Sequence, residues 1–393
     1  MQPCFMKILH IVKTLVGGGW VYQQVRVLCS LGFEVVAVLP SNSAGLAPKY
    51  QEAGARVIPL AFDFPARAPW RVPWLLREFR KIVDDVEPDV IHTHFVGCAL
   101  MLRAALGKSS PIARVFQVPG PLHLEHDFFA KLDILSAGPQ DHWIACCRWT
   151  EQKYRALGVT PDRVFLSYPG TDVGAFNDQR KPILRRELGL ADDVPLVGMV
   201  CYMYAPKRFL GQRTGLKGHE DFIEALEIAR RSESRLEGVI IGGAWNDAVE
   251  YERSLRQLGA KKCGGHLHFL GTRADVPALY TGLDLAVVAS HSENVGGAVE
   301  PLLSGVPVVA TNVGGLPDLV QPGVSGTLVA PHNPQALADA MLVMLRDRAK
   351  ARRLALQGQK MARRMFDVEI TAREIAEIYS QIAANHAEAR VYA

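Results

Sequence analysis

What this 393-residue chain lacks narrows its identity quickly. No apolar run is long enough to cross a bilayer. The seven cysteines include no C-x-x-C pair, and Cys146 and Cys147 are adjacent, so neither a disulfide framework nor a zinc site is suggested. A reducing cytoplasm is the simplest compartment for such a chain. An excess of one charge is also missing. The 44 Lys and Arg face 40 Asp and Glu, and the resulting +4 comes without the dense basic stripe of a nucleic-acid binder. There is no low-complexity segment, no short repeat and no D-x-D. The glycines at 17–19 do not have the G-x-G-x-x-G spacing of a dehydrogenase-type dinucleotide site.

What is present is ordinary for a globular protein, with 49% hydrophobic and 21% charged residues. The length suits two α/β domains rather than one core. The opening MQPCFMKILHIVKTL begins like a signal peptide, but its apolar stretch is short and alternates with polar residues. It reads better as a first core strand, KILHIV, ahead of a glycine turn. Strand-like runs then alternate with helix-like segments, the mark of βα units and parallel sheets. KILHIV, EVVAVLP, ARVIPL, DVIHTHF, ARVFQV, HWIACC and RVFLSYP form one series. PLVGMVCYM, LEGVIIGG, LHFLGT, LDLAVVAS, VPVVAT and GTLVA form a second. The polar stretch 172–193 between them is the linker candidate, and the tail from Gln335 is helical with a solvated Lys/Arg-rich middle. Two such series predict two Rossmann-like domains facing across a cleft, with ligands at the carboxyl ends of the strands.

The most informative stretch is ENVGGAVEPLLSGVPVVATNVGG, from Glu293 to Gly315. Gly296 and Gly297 let the backbone approach a ligand and present its N–H groups. From Val299 to Ser304 the spacing is helical without a breaker, and a helix starting here aims its positive end at an anion. Carboxylates at such a mouth make sense for a ligand with hydroxyls for Glu293 and Glu300 and phosphates for the amides. A nucleotide-sugar has both.

With these features in hand, the chain resembles a retaining glycosyltransferase of family 4, with the GT-B fold. The resemblance runs through the strand ahead of Gly17 to Gly19, PDVIHTHF, YPGTDVGAF, KGHEDFIEAL, FLGTRADVPALY, the stretch from Glu293, and FDVEITAREIAEIY near the end. It implies an acceptor-binding domain over 1–175, a donor-binding domain over 190–366, and a closing helix (367–393) that returns to the N-terminal domain. It also implies a nucleotide-diphosphate-sugar donor and a sugar, lipid-linked or small-molecule acceptor, in glycan or glycoconjugate biosynthesis.

The resemblance carries residues with it. Lys217 contacts the donor diphosphate and offsets charge on the leaving group. Glu300 matches the glutamate that accepts from the ribose, and Glu293 the one beside the donor sugar and reacting centre. The family spacing is one residue longer and would put Ser292 at that place. Gly296, Gly297, Gly18 and Gly19 lie where backbone meets donor, and Thr272 and Arg273 lie where the base is received. Arg273 alternatively pairs with Asp275. An arginine usually accompanies the lysine, but its position falls near Met199 or Tyr202. Arg213, Arg208 or Lys207 in the insertion 204–216 is the candidate replacement, unless that segment is simply a solvated loop. His123 falls where a histidine often lies near the transferred sugar, or else it orders its loop. His92 and His94 share a strand face and can hold a metal, but no third ligand is obvious, and packing is the favoured reading. No cofactor is expected, because lysine and helix amides replace a metal. The segment 65–83, with Trp70 and Trp74 among five basic residues, suits the surface of an anionic membrane, or else an amphipathic helix whose tryptophans pack inward. Alternative readings are a nucleotide-sugar epimerase or phosphorylase on the same fold, or a non-catalytic nucleotide-sugar-binding subunit.

Overall fold

A computed structural model describes residues 6–16, 18–179, 181, 183–208 and 211–391. Residues 1–5 of the leader-like opening, Gly17, and residues 209 and 210 of the insertion lie outside that set. The chain divides into two compact units. One holds the residues up to Asp172 and again from Met365, and the other holds Val173–Arg364.

The first unit is built on seven strands: β1 (Lys7–Ile11), β2 (Glu34–Leu39), β3 (Arg56–Pro59), β4 (Val90–Thr93), β5 (Ala113–Phe116), β6 (Asp141–Ala145) and β7 (Val164–Leu166). They form one parallel sheet in the order β3-β2-β1-β4-β5-β6-β7. Each coincides with one of the seven runs expected from sequence. Because helices cover both faces, β4 and β6 are buried along their whole length, which is why they read as continuous apolar runs rather than alternating ones. The strand order reverses between β1 and β4, so the carboxyl ends diverge there and open a crevice.

The helix Val368–Val391 completes this unit by packing on the helix Gly19–Ser30. Ile375, Ile378, Tyr379 and Ile382 repeat at helical spacing and are all buried. Each such side chain contributes roughly 1.5–3 kcal/mol before the entropy of ordering it. The chain enters this helix through a backbone clasp: the Thr171 N–H donates to Phe366 O at 2.8 Å and the Val368 N–H to Thr171 O at 3.0 Å. A buried ion cluster sits at the other end of the sheet. Arg103 donates to Asp133 at 2.6 Å and to Asp141 at 2.9 Å, while Arg114 pairs with Asp141 from the far side.

The second unit has six strands: β8 (Leu196–Val200), β9 (Glu237–Ile241), β10 (Leu267–Phe269), β11 (Leu285–Val288), β12 (Val308–Thr311) and β13 (Thr327–Val329). Their order is β10-β9-β8-β11-β12-β13, again all parallel, with the reversal between β8 and β11. Two sequence expectations need correction. Part of the stretch read as a linker belongs to this unit, because the short helix Ile183–Glu187 buries Leu184 and Arg185. Arg185 donates to Asp284 at 2.6 Å and to Gly282 O at 3.1 Å, so the polar stretch holds a buried anchor. The helix after the glycines runs from Gly296 to Leu303 and does contain a breaker, Pro301. A proline there cannot donate to the carbonyl of Gly297. The helix ends two residues later.

Candidate functional site

The candidate site lies at the carboxyl ends of β8 to β11 in the second unit. Lys217 precedes the helix His219–Arg230, and its ammonium forms an ion pair with the Glu293 carboxylate. Glu293 also accepts from Ser290 Oγ at 3.1 Å and from the backbone N–H of Asn294 at 3.2 Å. Two glycines fix this pair. Gly218 has φ +69°, and a Cβ there would lie 2.0 Å from the Ala289 carbonyl oxygen. Gly314 has φ +49°, and a Cβ there would lie 1.8 Å from the Glu293 carbonyl oxygen. Any other residue at either position forces the backbone beneath Lys217 or Glu293 to move. Burial favours the neutral amine of Lys217, but the adjacent Glu293 carboxylate outweighs it and holds the lysine above its ordinary value. The side chain is therefore a fixed cation at neutral pH.

Two adjoining cavities flank this pair and share Val200 and Cys201. The smaller, about 30 Å³, is lined by Lys217, Tyr280, Ser290, Glu293 and Gly297. The larger, about 270 Å³, is lined by Tyr202, Gly242, Thr272, Arg273, Val276 and Glu300. The Tyr280 hydroxyl lies beside the Glu300 carboxyl. Burial pushes the Glu300 carboxyl up, partly offset by that hydroxyl. Between the cavities, the helix Gly296–Leu303 begins with no side-chain cap and with Gly296 exposed, so its first N–H groups point outward unshielded. Together these parts supply a cation, an anion-seeking helix start and two hydrogen-bonding carboxylates around one crevice.

Comparison with known proteins matches this arrangement. The description "Glycosyltransferase Family 4" fits residues 18–174, and "Glycosyl transferases group 1" fits residues 208–361. The chain belongs to glycosyltransferase family 4. It is an enzyme of the glycosyltransferase class that uses a nucleotide sugar. The D-inositol 3-phosphate glycosyltransferase of Corynebacterium glutamicum is 27% identical over 326 residues, covering 80% of this chain and 70% of that protein. The enzyme of the same name from Nocardia farcinica is 28% identical, covering 87% and 71%. That of a Nocardioides species is 32% identical, but the match spans 61% of this chain and 53% of the relative. Among solved structures, Anabaena HepE in complex with UDP and glucose has a TM-score of 0.78 at 23% identity, covering 95% of this chain and 99% of that one. Sucrose-phosphate synthase from Thermosynechococcus elongatus has a TM-score of 0.79 at 19% identity, covering 97% and 100%. These likenesses establish the GT-B fold.

Most residues singled out in this family 4 enzyme's second unit come together. Lys217, Glu293 and Gly297 line one cavity, and Thr272, Arg273 and Glu300 the other. Glu293, not Ser292, faces Lys217, so the shortened spacing still delivers a carboxylate to the lysine. Arg273 makes the ion pairs that its alternative reading expects, to Asp275 at 2.8 Å and to Glu187 at 2.6 Å. Lys207, Arg208 and Arg213 are exposed and line neither cavity. The place read as missing an arginine is instead aromatic. Tyr202 and Tyr204 pack against Trp245 with ring centroids 4.9 and 5.6 Å away, and the Lys217 ammonium lies 6.0 Å from the Tyr204 ring centre. Sequence reasoning missed Tyr280, Ser290 and Gly314. The signal for Gly314 was present as the second Gly-Gly of the motif, and that for Tyr280 as the last residue of FLGTRADVPALY.

In the first unit, Gly18 is buried and caps the helix Gly19–Ser30, whose first turn likewise lacks a side-chain cap, while Gly19 is exposed. His123 is buried in the short helix Leu122–Glu125. Its Nδ1 lies 3.2 Å from Gly120 O and its Nε2 3.0 Å from the Tyr154 hydroxyl, and burial lowers its pKa. With both nitrogens engaged inside its own unit, the geometry favours the loop-ordering role. His92 and His94 do have a third companion, His10 on β1, with one ring nitrogen from each within 4.8 Å of the others. All three are fully buried, and burial pushes His10 down to about 3 and the other two well below their ordinary value. His10 Nδ1 lies 2.9 Å from His94 Nε2, and His92 Nδ1 lies 2.5 Å from the Tyr379 hydroxyl. This is a neutral hydrogen-bonded core, as the packing reading expects.

The tryptophans of 65–83 do not pack inward. The helix Val72–Val86 buries Leu75, Phe79, Val83 and Val86, leaving Trp70 75% and Trp74 45% exposed. Among the described residues no helix is long and apolar enough to cross a membrane.

Proposed function

We propose that this enzyme is a retaining hexosyltransferase whose donor binds the second unit. The Lys217–Glu293 pair beside the uncapped start of the helix Gly296–Leu303 carries the reading. Donor binding splits the pair: Lys217 turns to the diphosphate, and Glu293 takes hydroxyls of the sugar. The helix amides share the phosphate charge, and Glu300 accepts from the ribose. Lysine and amides stabilise the leaving diphosphate without a metal. Transfer takes place on the face that the diphosphate leaves, and the departing phosphate accepts the proton of the acceptor hydroxyl. Acceptor binds the first unit. The inositol phosphate named for the relatives makes a phosphorylated polyol the first acceptor to try, and HepE with UDP makes a uridine donor the first donor.

The test is calorimetry with a panel of nucleoside diphosphates. Turnover of the matching sugar donor follows, with the anomeric configuration of the product read by NMR. Binding of one nucleoside diphosphate in the micromolar range and a product that keeps the donor's anomeric configuration are expected. An inverted product, or donor rearranged without acceptor, overturns the reading.

The exposed Trp70 and Trp74, with Phe64 and the neighbouring basic residues, support a peripheral contact with anionic lipid. Flotation with phosphatidylglycerol vesicles at low salt tests it. Wild type is expected to float and the Trp70→Ala/Trp74→Ala double variant to stay at the bottom; wild type that does not float ends the idea.

A further inference from the structure

Three metal-ligating side chains converge in the second unit apart from the residues that line the two cavities. Asp221 lies in the first turn of the helix His219–Arg230, His291 follows β11, and His332 follows β13. His291 Nε2 is 2.9 Å from Asp221 Oδ2, and the His291 and His332 rings lie against each other with centroids 3.7 Å apart. One ligand atom from each residue lies within 4.8 Å of the other two. Thr214 Oγ1 is 3.5 Å from His291 Nδ1, on the opposite side of that ring from Asp221. Asp221 and His291 are largely covered, with side chains 13% and 9% exposed, whereas His332 is exposed.

We propose that Asp221, His291 and His332 form a binding site for a divalent transition cation of the zinc class. Two imidazoles and one carboxylate suit such ions and leave positions open for water. Zinc holds nitrogen and oxygen ligands at about 2.0–2.2 Å, which places them about 3.4 Å apart in a tetrahedron. The three groups need to draw in by at most about 1.4 Å at their widest separation. The carboxylate cancels one of the two positive charges, and the exposed His332 gives the ion a way in. The His10, His92 and His94 cluster fails on both counts, because it has no carboxylate and no exposure. A divalent ion there keeps two uncompensated charges in a buried setting. At the Asp221 site the ion joins three segments that are distant in sequence. The His291 N–H already donates to Leu216 O at 2.8 Å, so the ion fastens the chain just before Lys217 and just before Glu293. This site is separate from the charges proposed above for the diphosphate, and its test does not depend on them.

Titration of the chelator-stripped full chain with Co2+, read by visible absorption, decides the matter, with Zn2+ as competitor. One equivalent is expected to bind in the micromolar range or tighter, raise Tm and be displaced by Zn2+. His332→Asn removes the imidazole at a residue with φ 56°, a backbone conformation asparagine tolerates. That variant and Asp221→Asn are each expected to weaken binding at least ten-fold, while His92→Gln leaves it unchanged. Circular dichroism checks the fold of each. Should Asp221→Asn fail to fold, His332→Asn, on the surface, decides alone. No binding of Co2+ or Zn2+ below millimolar concentration, wild-type binding by His332→Asn, or loss of the site on His92→Gln overturns the proposal.

Discussion

The two sheets share a topology and differ in what they place where the strand order reverses. Around β1 and β4 of the first unit stand His10, His92 and His94, three uncharged rings joined through Tyr379. Beside β8 and β11 of the second stand Lys217 and Glu293, a charged pair at the edge of open cavities. Burial explains the contrast. The histidines have no exposure, so the neutral form is the only inexpensive one. Lys217 keeps some contact with solvent and has the Glu293 carboxylate beside it, so the lysine stays charged. One crevice is therefore suited to hydrogen bonding, and the other to recognising charge.

The sharpest way to break this comparison is acid. The unfolded chain protonates its histidines below about pH 6.5, while the folded rings stay neutral, His10 down to about 3. A lowered folded pKa means that stability is present above the unfolded value and is lost as pH falls. These three rings alone approach about 4 kcal/mol per pH unit, and His123 and His219, which burial also lowers, add to it. Urea unfolding of the full chain between pH 7 and 5 measures it, and His10→Gln is expected to remove about a fifth of the slope. A flat profile means that the rings titrate in the fold.

Next in size is Asp141→Ala, which leaves Arg114 without its carboxylate and takes one of two from Arg103 in the core of the first unit, and is expected to cost about 3–5 kcal/mol. The counterpart in the second unit, Asp284→Ala, is expected to cost less, about 2 kcal/mol, because that carboxylate is partly hydrated. Equal losses in denaturant melts erase the distinction between the units. Lys217→Ala tests the charged crevice itself. It is expected to lower kcat by about 10²-fold with the fold intact, as loss of an electrostatic stabiliser does. Unchanged turnover removes Lys217 from the mechanism.

The smallest effect belongs to Glu300. Its carboxyl is raised by burial, so the folded state favours the proton, and the residue costs stability as pH rises past the unfolded value of about 4.3. Glu300→Gln is expected to raise Tm by a few degrees at pH 7, with the gain gone at pH 4, while nucleotide affinity falls several-fold. A lower Tm at pH 7 means that the carboxylate is stabilised in the fold rather than strained.

Sequence carried the frame of this molecule further than its chemistry. All thirteen strands among the described residues were legible because each is a short apolar run, most of them β-branched, bounded by polar or glycine-rich segments, as in β12 and β13. The Lys217–Glu293 pair was legible as two motifs, but their contact was not, because 76 residues separate them. The register of Glu293 against Ser292 had no answer in spacing alone. It depends on Gly314, whose missing Cβ lets the backbone close on the Glu293 carbonyl. The burial of Arg185 inside the polar stretch 172–193 was not legible, because a single helical turn gives too little periodicity to show a buried face. His10 escaped notice as the third histidine because adjacency in a parallel sheet follows strand order, and β1 lies beside β4.

The closing clasp at Thr171 and the helix Val368–Val391 that follows it also set an order of assembly. As the ribosome extends the chain, all seven strands of the first unit emerge before any of the second. Yet the helix that covers Gly19–Ser30 emerges last, after the whole second unit has been made. At about 5–20 residues per second, the first unit waits roughly 10–40 s with an apolar helix face uncovered. The second unit is a single continuous stretch of chain and can close first. In this chain the part synthesised earliest is the part finished last, and its uncovered face is where a nascent-chain chaperone has something to hold.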